Sequence, residues 1–323
     1  MEYRLLGTTG VRVSALCFGT MSFGGDATED EAGRLYAACR DAGINFFDCA
    51  NVYNGGKSEE ILGRVMAGDR DELVIATKST QSVGPDINAG GSNRRHLISA
   101  VEASLKRLDT DRIDIYFMHQ FDRNMPIEEI LRGLESLVQS GKVLYVGASN
   151  YSAWQVATAL GISRQHGWSR FDVLQPMYSL VKRQAEVEIL PLAEAENLGV
   201  ISYSPLGAGL LSGKYGTDAR PKDGRLVSNA MYSKRYSSDG TYEAAAAFTA
   251  FAKDLGVHPA SLAVAWVSAH PAITSPIIGA RNVEQLKPSL ESVDIELTTE
   301  LRQEISALSI APPSATDRFE ERA

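Results

Sequence analysis

Eight short apolar runs, each followed by sequence with helical character, constrain the fold of this 323-residue chain most strongly. The runs are Ala15–Gly19, Phe46–Asp48, Leu73–Lys78, Ile113–His119, Val143–Ser149, Val173–Gln175, Val200–Tyr203 and Ser275–Gly279. Because they are continuously apolar rather than alternating, we interpret them as parallel strands covered on both faces. The repeated alternation of strand and helix predicts an α/β fold, a closed (β/α)8 TIM barrel, with an open doubly wound sheet as the alternative.

Segments outside these repeats predict how the ends of the barrel are covered. The stretch from Tyr3 to Val13 contains a Gly7–Gly10 turn and predicts an N-terminal hairpin ahead of the barrel. The longest stretch without a regular pattern is Lys214–Gly240, and we expect it to lie as a long loop over the C-terminal mouth, where it acts as a lid. No Pro- or Ser-rich linker divides the chain, so we expect one domain over residues 1–323.

Composition excludes several classes of partner. A formal net charge of -8 argues against nucleic acid and anionic membrane surfaces, and no apolar run is long enough to cross a bilayer. The N-terminus lacks the basic and apolar regions of a signal peptide. Cys17, Cys39 and Cys49 are odd in number and form no Cys-x-x-Cys pair, which indicates reduced thiols and a cytoplasmic location. No Cys/His spacing indicates a metal site, and the oligomeric state is left open.

Ionisable side chains end three consecutive predicted strands. Asp48, Lys78 and His119 stand at these strand ends, and Tyr53 follows Asp48 after a short loop. Each residue alone is most often structural: a cap, a surface charge, a loop aromatic or a core histidine. In a barrel of this type, however, the active site lies at the carboxyl ends of the strands. We therefore expect the four side chains to form one catalytic group.

The chemistry of the four residues predicts proton transfer to an oxygen. Asp48 is expected to keep the Lys78 ammonium charged, and that charge is expected to lower the pKa of the Tyr53 hydroxyl from about 10. Tyr53 then acts as a general acid, while His119 donates a hydrogen bond to a carbonyl oxygen. The group contains no obvious nucleophile, so its partner is expected to be a hydride donor such as nicotinamide.

The sequence resembles the aldo-keto reductase superfamily along nearly its whole length. The matching stretches are Phe47–Tyr53, Gly56–Glu59, Thr77-Lys78, Leu105–Leu108, Asp114–His119, Gly141–Val143, Gly147–Asn150, Tyr203–Gly207 and Gly279–Arg281. The resemblance implies a catalytic tetrad of Asp48, Tyr53, Lys78 and His119. It also implies reversible NADPH-dependent reduction of an aldehyde or ketone to an alcohol, with the cofactor extended across the barrel mouth.

The resemblance further implies a set of cofactor contacts. Tyr203 is expected to stack on the nicotinamide ring, and Ser149, Asn150 and Gln175 to bind its carboxamide. The loop after Tyr203 suits backbone contacts with the pyrophosphate, and Arg281 at a helix start suits the 2′-phosphate. The full predicted set is Gly19, Thr20, Met21, Asp48, Ser149, Asn150, Gln175, Tyr203, Ser204, Pro205, Leu206, Gly207, Gly209, Leu211, Lys214, Gly279, Ala280, Arg281 and Gln285.

One departure from the family pattern concerns the adenine end. Related sequences often continue Gln-Leu-Glu-Glu-Asn, whereas here Gln285 and Leu286 precede Lys287-Pro288-Ser289. The acidic residue and the amide expected to hold adenine are absent, so NADH is retained as an alternative to NADPH/NADP⁺. Lys287 is expected either to contact the 2′-phosphate or to be solvated.

The substrate is expected to be a small carbonyl compound or alcohol, and its class is not determined by the sequence. Aromatic walls suit sugars, aromatic aldehydes and bulky ketones alike. The residues expected to bound the pocket, besides Tyr53, are Phe23, Phe121, Trp154, Tyr232 and Tyr236.

Two other functions remain open at this point. The chain could bind NADP(H) and act as a redox-sensing regulatory protein with little turnover. Alternatively, Lys78 could form a Schiff base as in an aldolase-like barrel, although a nucleophilic amine must be neutral and Asp48 argues against that.

Overall fold

The computed structural model describes residues 1–216, 221 and 224–316. Eight parallel strands form one sheet: β3 (Cys17–Gly19), β4 (Phe46–Asp48), β5 (Val74–Ser79), β6 (Ile113–Met118), β7 (Val143–Ser149), β8 (Phe171–Gln175), β9 (Gly199–Val200) and β10 (Ile277–Ile278). β10 pairs with β3, and the order then follows the chain to β9. Backbone bonds from Ser275 N to Val200 O and from Ile277 N to Ser202 O join the two edges. The predicted TIM-barrel fold is confirmed.

The described residues also form helices, most of which cover the outside of this sheet. They are α1 (Glu29–Asp41), α2 (Lys57–Val65), α3 (Arg94–Leu108), α4 (Ile127–Gln139), α5 (Ala153–His166), α6 (Ile189–Ala195), α7 (Arg225–Ser228), α8 (Ala230–Arg235), α9 (Asp239–Asp254), α10 (Pro259–Ser268), α11 (Val283–Leu290) and α12 (Thr299–Ser306). None of the helices in the described part of the chain combines the length and apolarity needed to cross a bilayer.

The strand periodicity divides the core into two layers. Phe47 and Ile75 pack outward against the helices, whereas their neighbours Phe46 and Ala76 fill the barrel interior. This follows from the alternation of side chains across a strand, here with both faces apolar. The same alternation directs Asp48 and Lys78 inward, because they follow Phe46 and Ala76 by two residues.

An antiparallel hairpin closes the far end of the barrel, as predicted. Its strands are β1 (Tyr3–Leu5) and β2 (Arg12–Ser14). Leu6 and Val13 are completely buried and belong to the interior layer of the core. Gly7 has φ +55, and a Cβ there would lie 2.5 Å from Gly199 N, so the turn fits only because this residue has no side chain.

The region predicted as irregular, Lys214–Gly240, contains helices in the structure. α7, α8 and the first residues of α9 lie within it. The side chain of Asn229 accepts bonds from Met231 N and Tyr232 N and begins α8. The Gly, Ser and Tyr content concealed these short helices, which is the reason that the prediction of an irregular loop was wrong. Residues 217–220, 222 and 223 of the predicted loop lie outside the described residues.

Candidate active site

Three inward-facing polar side chains meet at the carboxyl end of the barrel. Asp48 ends β4, Lys78 is the penultimate residue of β5, and Gln175 ends β8. The Gln175 amide Nε2 donates to Asp48 Oδ1 at 2.8 Å, and Lys78 Nζ donates to Asp48 Oδ2 at 2.6 Å. The carboxylate of Asp48 is therefore held on both oxygens, by a lysine of the adjacent strand β5 and by an amide of β8 across the barrel.

The Lys78 ammonium is enclosed by oxygen atoms. Its side chain is 0% exposed and, besides Asp48, donates to Cys49 O at 2.6 Å and to the Tyr53 hydroxyl at 3.5 Å. Burial opposes the charged form, but Asp48 and Tyr53 stabilise it more strongly, so the pKa of Lys78 lies above its ordinary value. Lys78 is thus a buried cation in direct contact with a phenol.

Tyr53 and His119 lie next to each other on the outer side of this ion pair. Their rings meet edge to face with centroids 5.9 Å apart. Burial raises the pKa of Tyr53 to about 12, although Lys78 acts in the lowering direction. The expected net lowering of this pKa is therefore not found, because desolvation of the hydroxyl outweighs the ammonium charge. The phenol is held protonated, with a cation ready to stabilise its anion.

His119 is a neutral imidazole. Burial lowers the pKa of His119 to about 3, and the nearby Lys78 charge adds to this effect. Its Nδ1 is buried without a hydrogen-bond partner among the described residues. A neutral ring has one nitrogen that donates and one that accepts, so His119 can bind an uncharged carbonyl oxygen.

The low pKa of His119 predicts a pH-dependent stability. Between the ordinary value near 6.5 and about 3, the unfolded chain binds a proton that the folded chain does not, so stability falls as pH decreases through this window. Between about pH 7 and about pH 5, we expect protonation of His119 in the unfolded chain to lower the free energy of unfolding by about 2 kcal/mol. Urea unfolding of wild type and His119→Asn across this range measures it. The prediction is contradicted if the free energies of unfolding of the two proteins differ by the same amount at both pH values.

The thiol beside Asp48 is buried and held in its protonated form. Burial raises the pKa of Cys49 to about 12, and its Sγ lies 3.2 Å from Ser58 Oγ. Cys17, Cys39 and Cys49 are all free and buried, as expected for reduced thiols. Among the described residues, no group of three or more His, Cys, Asp or Glu side chains forms a metal site.

A polar wall continues from His119 along the mouth. The Asn150 amide Nδ2 donates to His119 O at 2.9 Å and to Ser149 Oγ at 3.1 Å, and its Oδ1 accepts from the Tyr203 hydroxyl at 2.7 Å. Ser149 Oγ in turn donates to Gln175 O at 3.0 Å. These bonds fix the side chains that the sequence predicts as carboxamide contacts at the ends of β7 and β8.

Strained backbone marks the same wall. Asn150, Ser204 and Ala208 line the mouth, and each has a left-handed φ, at 57°, 62° and 58° respectively. Non-glycine residues in this region cost about 1 kcal/mol or more each and persist where the surroundings hold them. The wall is therefore shaped at the expense of stability, a feature typical of ligand-binding sites.

A cleft of about 990 Å³ runs from the four catalytic candidates across the mouth, and we call it the mouth cleft. Asp48, Tyr53 and His119 line it, while Lys78 lies behind Asp48 and Tyr53. The predicted cofactor residues that line it are Gly19, Met21, Asp48, Ser149, Asn150, Gln175, Tyr203, Ser204, Pro205, Leu206, Gly209, Lys214, Gly279, Ala280, Arg281 and Gln285. Thr20, Gly207 and Leu211 are buried and do not line the cleft.

The far end of the mouth cleft carries Arg281 in an acidic setting. Its Nε lies 3.7 Å from Asp26 Oδ2, and its backbone N–H donates to Gln285 Oε1 at 3.3 Å. The start of α11 is already bonded: Val283 N donates to the Glu31 carboxylate at 3.3 Å. Gln285 N is also bonded, to Asn282 Oδ1 at 3.0 Å, so an anion expected at this helix start would be held chiefly by the guanidinium.

The residues of the altered Lys287-Pro288-Ser289 segment lie partly in the cleft lining and partly on the surface. Pro288 lines the mouth cleft, whereas the Lys287 side chain is 75% exposed and lies 3.9 Å from Glu291. Of the two expectations for Lys287, the structure supports solvation. Pro288 gives the cleft an apolar lining residue in this segment.

Most of the aromatic residues predicted to bound the substrate pocket do not line the mouth cleft. Tyr232 lines the mouth cleft. Phe23 is fully buried beside Phe18 with ring centroids 5.8 Å apart, and Tyr236 is also fully buried, so both are core residues. Phe121 packs on Tyr151 and Trp154 away from the cleft lining, and Trp154 is 61% exposed. An aromatic side chain gives the same sequence signal in a core and in a pocket.

Sequence reasoning missed several residues of the cleft wall. Met231 and Arg235 lie in a region predicted as irregular. Gln81 and Gln120 each lie two residues beyond the end of a strand, β5 and β6 respectively. The last two could have been found by reading past the strand ends, since polar residues there face the mouth of a barrel. The others missed are Ser22, Val52, Ala208, Ser212, Tyr215, Pro221, Gly224, His258, Ala260, Ile277, Ile278, Glu284 and Pro288.

Comparison with known proteins identifies a family whose model matches this chain and several proteins of similar sequence. The model of the aldo/keto reductase family matches residues 15–310. A Bacillus subtilis (strain 168) protein named uncharacterized oxidoreductase YrpG is 38% identical, over 98% of each chain. A probable voltage-gated potassium channel subunit beta from Oryza sativa subsp. japonica is 35% identical, over 99% of this chain and 100% of the relative. The aryl-alcohol dehydrogenase GME11368 of Pestalotiopsis microspora is 36% identical, over 94% of this chain and 81% of the relative.

Proposed function

The chain belongs to the aldo/keto reductase family, and from that premise we propose that it reduces an aldehyde or ketone to an alcohol with NADPH, reversibly. One observation supports this most directly: the Lys78 ammonium contacts both Asp48 and the Tyr53 hydroxyl, at 2.6 and 3.5 Å. That contact is the arrangement needed for a phenol to give up a proton and remain stabilised as an anion.

The four side chains divide the chemistry among them. Tyr53 holds the proton, and its pKa of about 12 keeps the resting hydroxyl protonated. His119 is neutral and orients the carbonyl oxygen toward Tyr53, while Asp48 holds Lys78 charged. When bound, the cofactor supplies the hydride to the carbonyl carbon. The Tyr53 proton goes to the carbonyl oxygen, which leaves an alcohol and a phenolate facing Lys78.

The mouth cleft has donors suited to NADPH at both ends. Ser149, Asn150 and Tyr203 present amide and hydroxyl groups beside the tetrad, where a nicotinamide carboxamide needs polar partners. Lys214 and Arg281 line the cleft farther along and suit phosphate groups. This distribution of cations supports a phosphorylated dinucleotide, and we assign Arg281 to the 2′-phosphate.

The pairing of Arg281 with Asp26 predicts a measurable effect on cofactor preference. Asp26→Asn removes a carboxylate that lies 3.7 Å from the guanidinium, so we expect NADPH binding to tighten by a few-fold while NADH binding stays unchanged. Fluorescence titration with both cofactors measures this. Asp30→Asn, an equal charge change at the exposed start of α1, is the control. If Asp26→Asn tightens the binding of NADPH and NADH equally, the assignment of Arg281 to the 2′-phosphate is contradicted.

The proposed reaction is tested by cofactor titration followed by turnover. Wild-type protein is titrated with NADPH and NADH, and NADPH oxidation is then followed with a panel of aldehydes and ketones. We expect tighter binding of NADPH and carbonyl-dependent oxidation. Equal affinities for the two cofactors would support use of NADH as well. Binding of neither cofactor overturns the oxidoreductase assignment.

A second candidate is an NADP(H)-binding regulatory protein with little turnover. It is favoured by the relatives named as potassium channel beta subunits, from Oryza sativa subsp. japonica at 35% and Arabidopsis thaliana at 36% identity. Tight NADPH binding with no oxidation on any carbonyl of the panel supports this candidate over the reductase. We also propose a cytoplasmic location, which the free buried thiols support.

A Schiff base on Lys78 is disfavoured by its surroundings. A nucleophilic amine must lose its proton, whereas Asp48 and Tyr53 raise the pKa of Lys78 despite its burial. Borohydride treatment in the presence of carbonyl substrates tests this alternative, and trapping of substrate on Lys78 would restore it.

A further inference from the structure

A half-buried guanidinium stands in the mouth cleft at the end of α8. Arg235 lines the cleft together with Met231 and Tyr232 of the same helix. Its guanidinium carbon lies 5.2 Å from the centroid of the Tyr232 ring, and its Nη2 lies 3.7 Å from Met231 Sδ. Stacking on an aromatic face and contact with a thioether hold the guanidinium in place without neutralising it.

Arg235 lies toward the catalytic end of the mouth cleft. Arg235 precedes Tyr236, the Tyr236 hydroxyl lies 4.0 Å from Met177 Sδ, and Met177 pairs with Tyr203 in a β-bridge. The charge of Arg235 also acts to lower the pKa of Tyr203, against the larger rise caused by burial. The Tyr203 hydroxyl bonds Asn150 at 2.7 Å, and Asn150 bonds the backbone oxygen of His119 at 2.9 Å. Arg281, by contrast, lies just before α11, with its Nε 3.7 Å from Asp26 Oδ2. The two arginines therefore serve different parts of the cleft.

The charge of Arg235 has no acidic partner in the part of the chain that the structure describes. Arg281, the other arginine in the described lining of the cleft, differs in this respect because it pairs with Asp26. Lys214 and Arg281 already supply the cations that the phosphates of a dinucleotide need. A further cation beside the catalytic residues therefore calls for an anion from another ligand.

We propose that Arg235 binds an anionic group of the carbonyl substrate, specifically a carboxylate, so that the preferred substrates are carbonyl compounds bearing an acid group. The proposal rests on the proposed reductase function. A guanidinium matches a carboxylate in both shape and single charge, whereas a phosphate monoester carries about two charges at neutral pH. Tyr232 forms the adjacent wall and gives the carbon skeleton an aromatic contact.

The test compares two aldehydes of similar shape. The ratio of kcat/KM for 4-formylbenzoate to that for 4-formylbenzamide is measured with NADPH for wild type, Arg235→Gln and Lys234→Gln. Lys234 is the matched control because it is the neighbouring, exposed cation of α8 and does not line the cleft. Arg235→Lys is included because it keeps the charge but loses the two-pronged geometry.

We expect the ratio to fall by about tenfold or more in Arg235→Gln, mainly through KM for the acid, with a smaller fall in Arg235→Lys. Lys234→Gln should keep the wild-type ratio within about twofold, the effect expected for an exposed charge. An equal ratio in wild type and Arg235→Gln overturns the proposal. So does a matching loss of NADPH affinity in Arg235→Gln, since the guanidinium would then serve the cofactor phosphates.

A binding measurement separates this proposal from the reductase assignment. Benzoate and benzamide are titrated by calorimetry into wild type and Arg235→Gln, each saturated with NADP⁺. Tighter binding of benzoate that is lost in Arg235→Gln supports the carboxylate site even in a protein without turnover, in which case only the reductase function fails. Equal binding of benzoate and benzamide to wild type contradicts the carboxylate site while leaving the reductase function intact.

Discussion

Tyr53→Phe is expected to lower kcat/KM for carbonyl reduction by at least about a hundredfold, the range that loss of a general acid produces. The change removes one oxygen, and with it the proton that the substrate oxygen would receive. Ring packing against His119 should persist, since the rings meet edge to face at 5.9 Å. Steady-state kinetics with the best aldehyde of the panel, together with NADPH titration, measure the effect, and the Kd for NADPH should change little.

Tyr145→Phe provides the matched control for that experiment. Tyr145 lies on β7, and its hydroxyl donates to Thr9 O at 3.1 Å in the hairpin that closes the opposite end of the barrel. The same atom is removed far from the mouth cleft, so activity should remain within about twofold of wild type, as for a site that contacts no reactant. Near-wild-type turnover by Tyr53→Phe would remove Tyr53 from the proposed role of proton donor.

Lys78→Met is expected to destabilise the fold by about 3–5 kcal/mol, because it leaves the Asp48 carboxylate buried without its cation. Asp48 and Lys78 are 4% and 0% exposed at the side chain, so solvent cannot replace the lost partner. The midpoint of urea unfolding measures the effect. Lys142→Met is the control: Lys142 pairs with Glu102 at 2.7 Å, but the two side chains are 37% and 57% exposed. Its loss should cost less than about 1 kcal/mol.

A double-mutant cycle isolates the interaction within that pair. Asp48→Asn together with Lys78→Met should cost less than the sum of the two single changes by about 2 kcal/mol or more, since the double variant leaves no unpaired buried charge. Additive costs would show that the two side chains contribute independently. A Lys78→Met protein as stable as Lys142→Met would contradict the assignment of Lys78 as a buried cation.

The barrel and the catalytic candidates could be predicted because one signal marks both. Strands covered on both faces are continuously apolar, so a charged residue such as Asp48 or Lys78 marks the strand end. Strand ends in a closed barrel meet at one mouth, and the structure brings these two side chains within 2.6 Å of each other. Local sequence was sufficient here because topology converts position along the strand into position in space.

The direction of the Tyr53 pKa could not be predicted in the same way. The effect of Lys78 follows from charge alone, but the larger effect is desolvation, which depends on every chain packed around the hydroxyl. The prediction of the aromatic pocket residues was mostly wrong for a related reason. Phe23 and Tyr232 are both aromatic residues in loop-like sequence, yet one is buried beside Phe18 and the other lines the mouth cleft. Only tertiary packing distinguishes them.

Arg235 was missed because of the sequence around it. Gly, Ser and Asn between Lys214 and Gly240 weaken the helical pattern, so the face that α8 presents to the cleft could not be identified. The cap of this helix is Asn229, a residue as common in turns as at helix starts. The same ambiguity concealed Met231, which lines the cleft one turn earlier in α8.

The N-terminal hairpin closes the far end of the barrel, so the interior opens only at the mouth. Between the hairpin and the Asp48–Lys78 pair the interior is filled by apolar side chains such as Val13, Phe46 and Phe117. Apolar side chains of this kind offer no donor or acceptor through which a proton could move. In the reaction proposed above, the proton that Tyr53 gives up would therefore be replaced from the mouth side, where Tyr53 and His119 line the cleft. Reprotonation of Tyr53 and release of the product would then share one route, the mouth cleft.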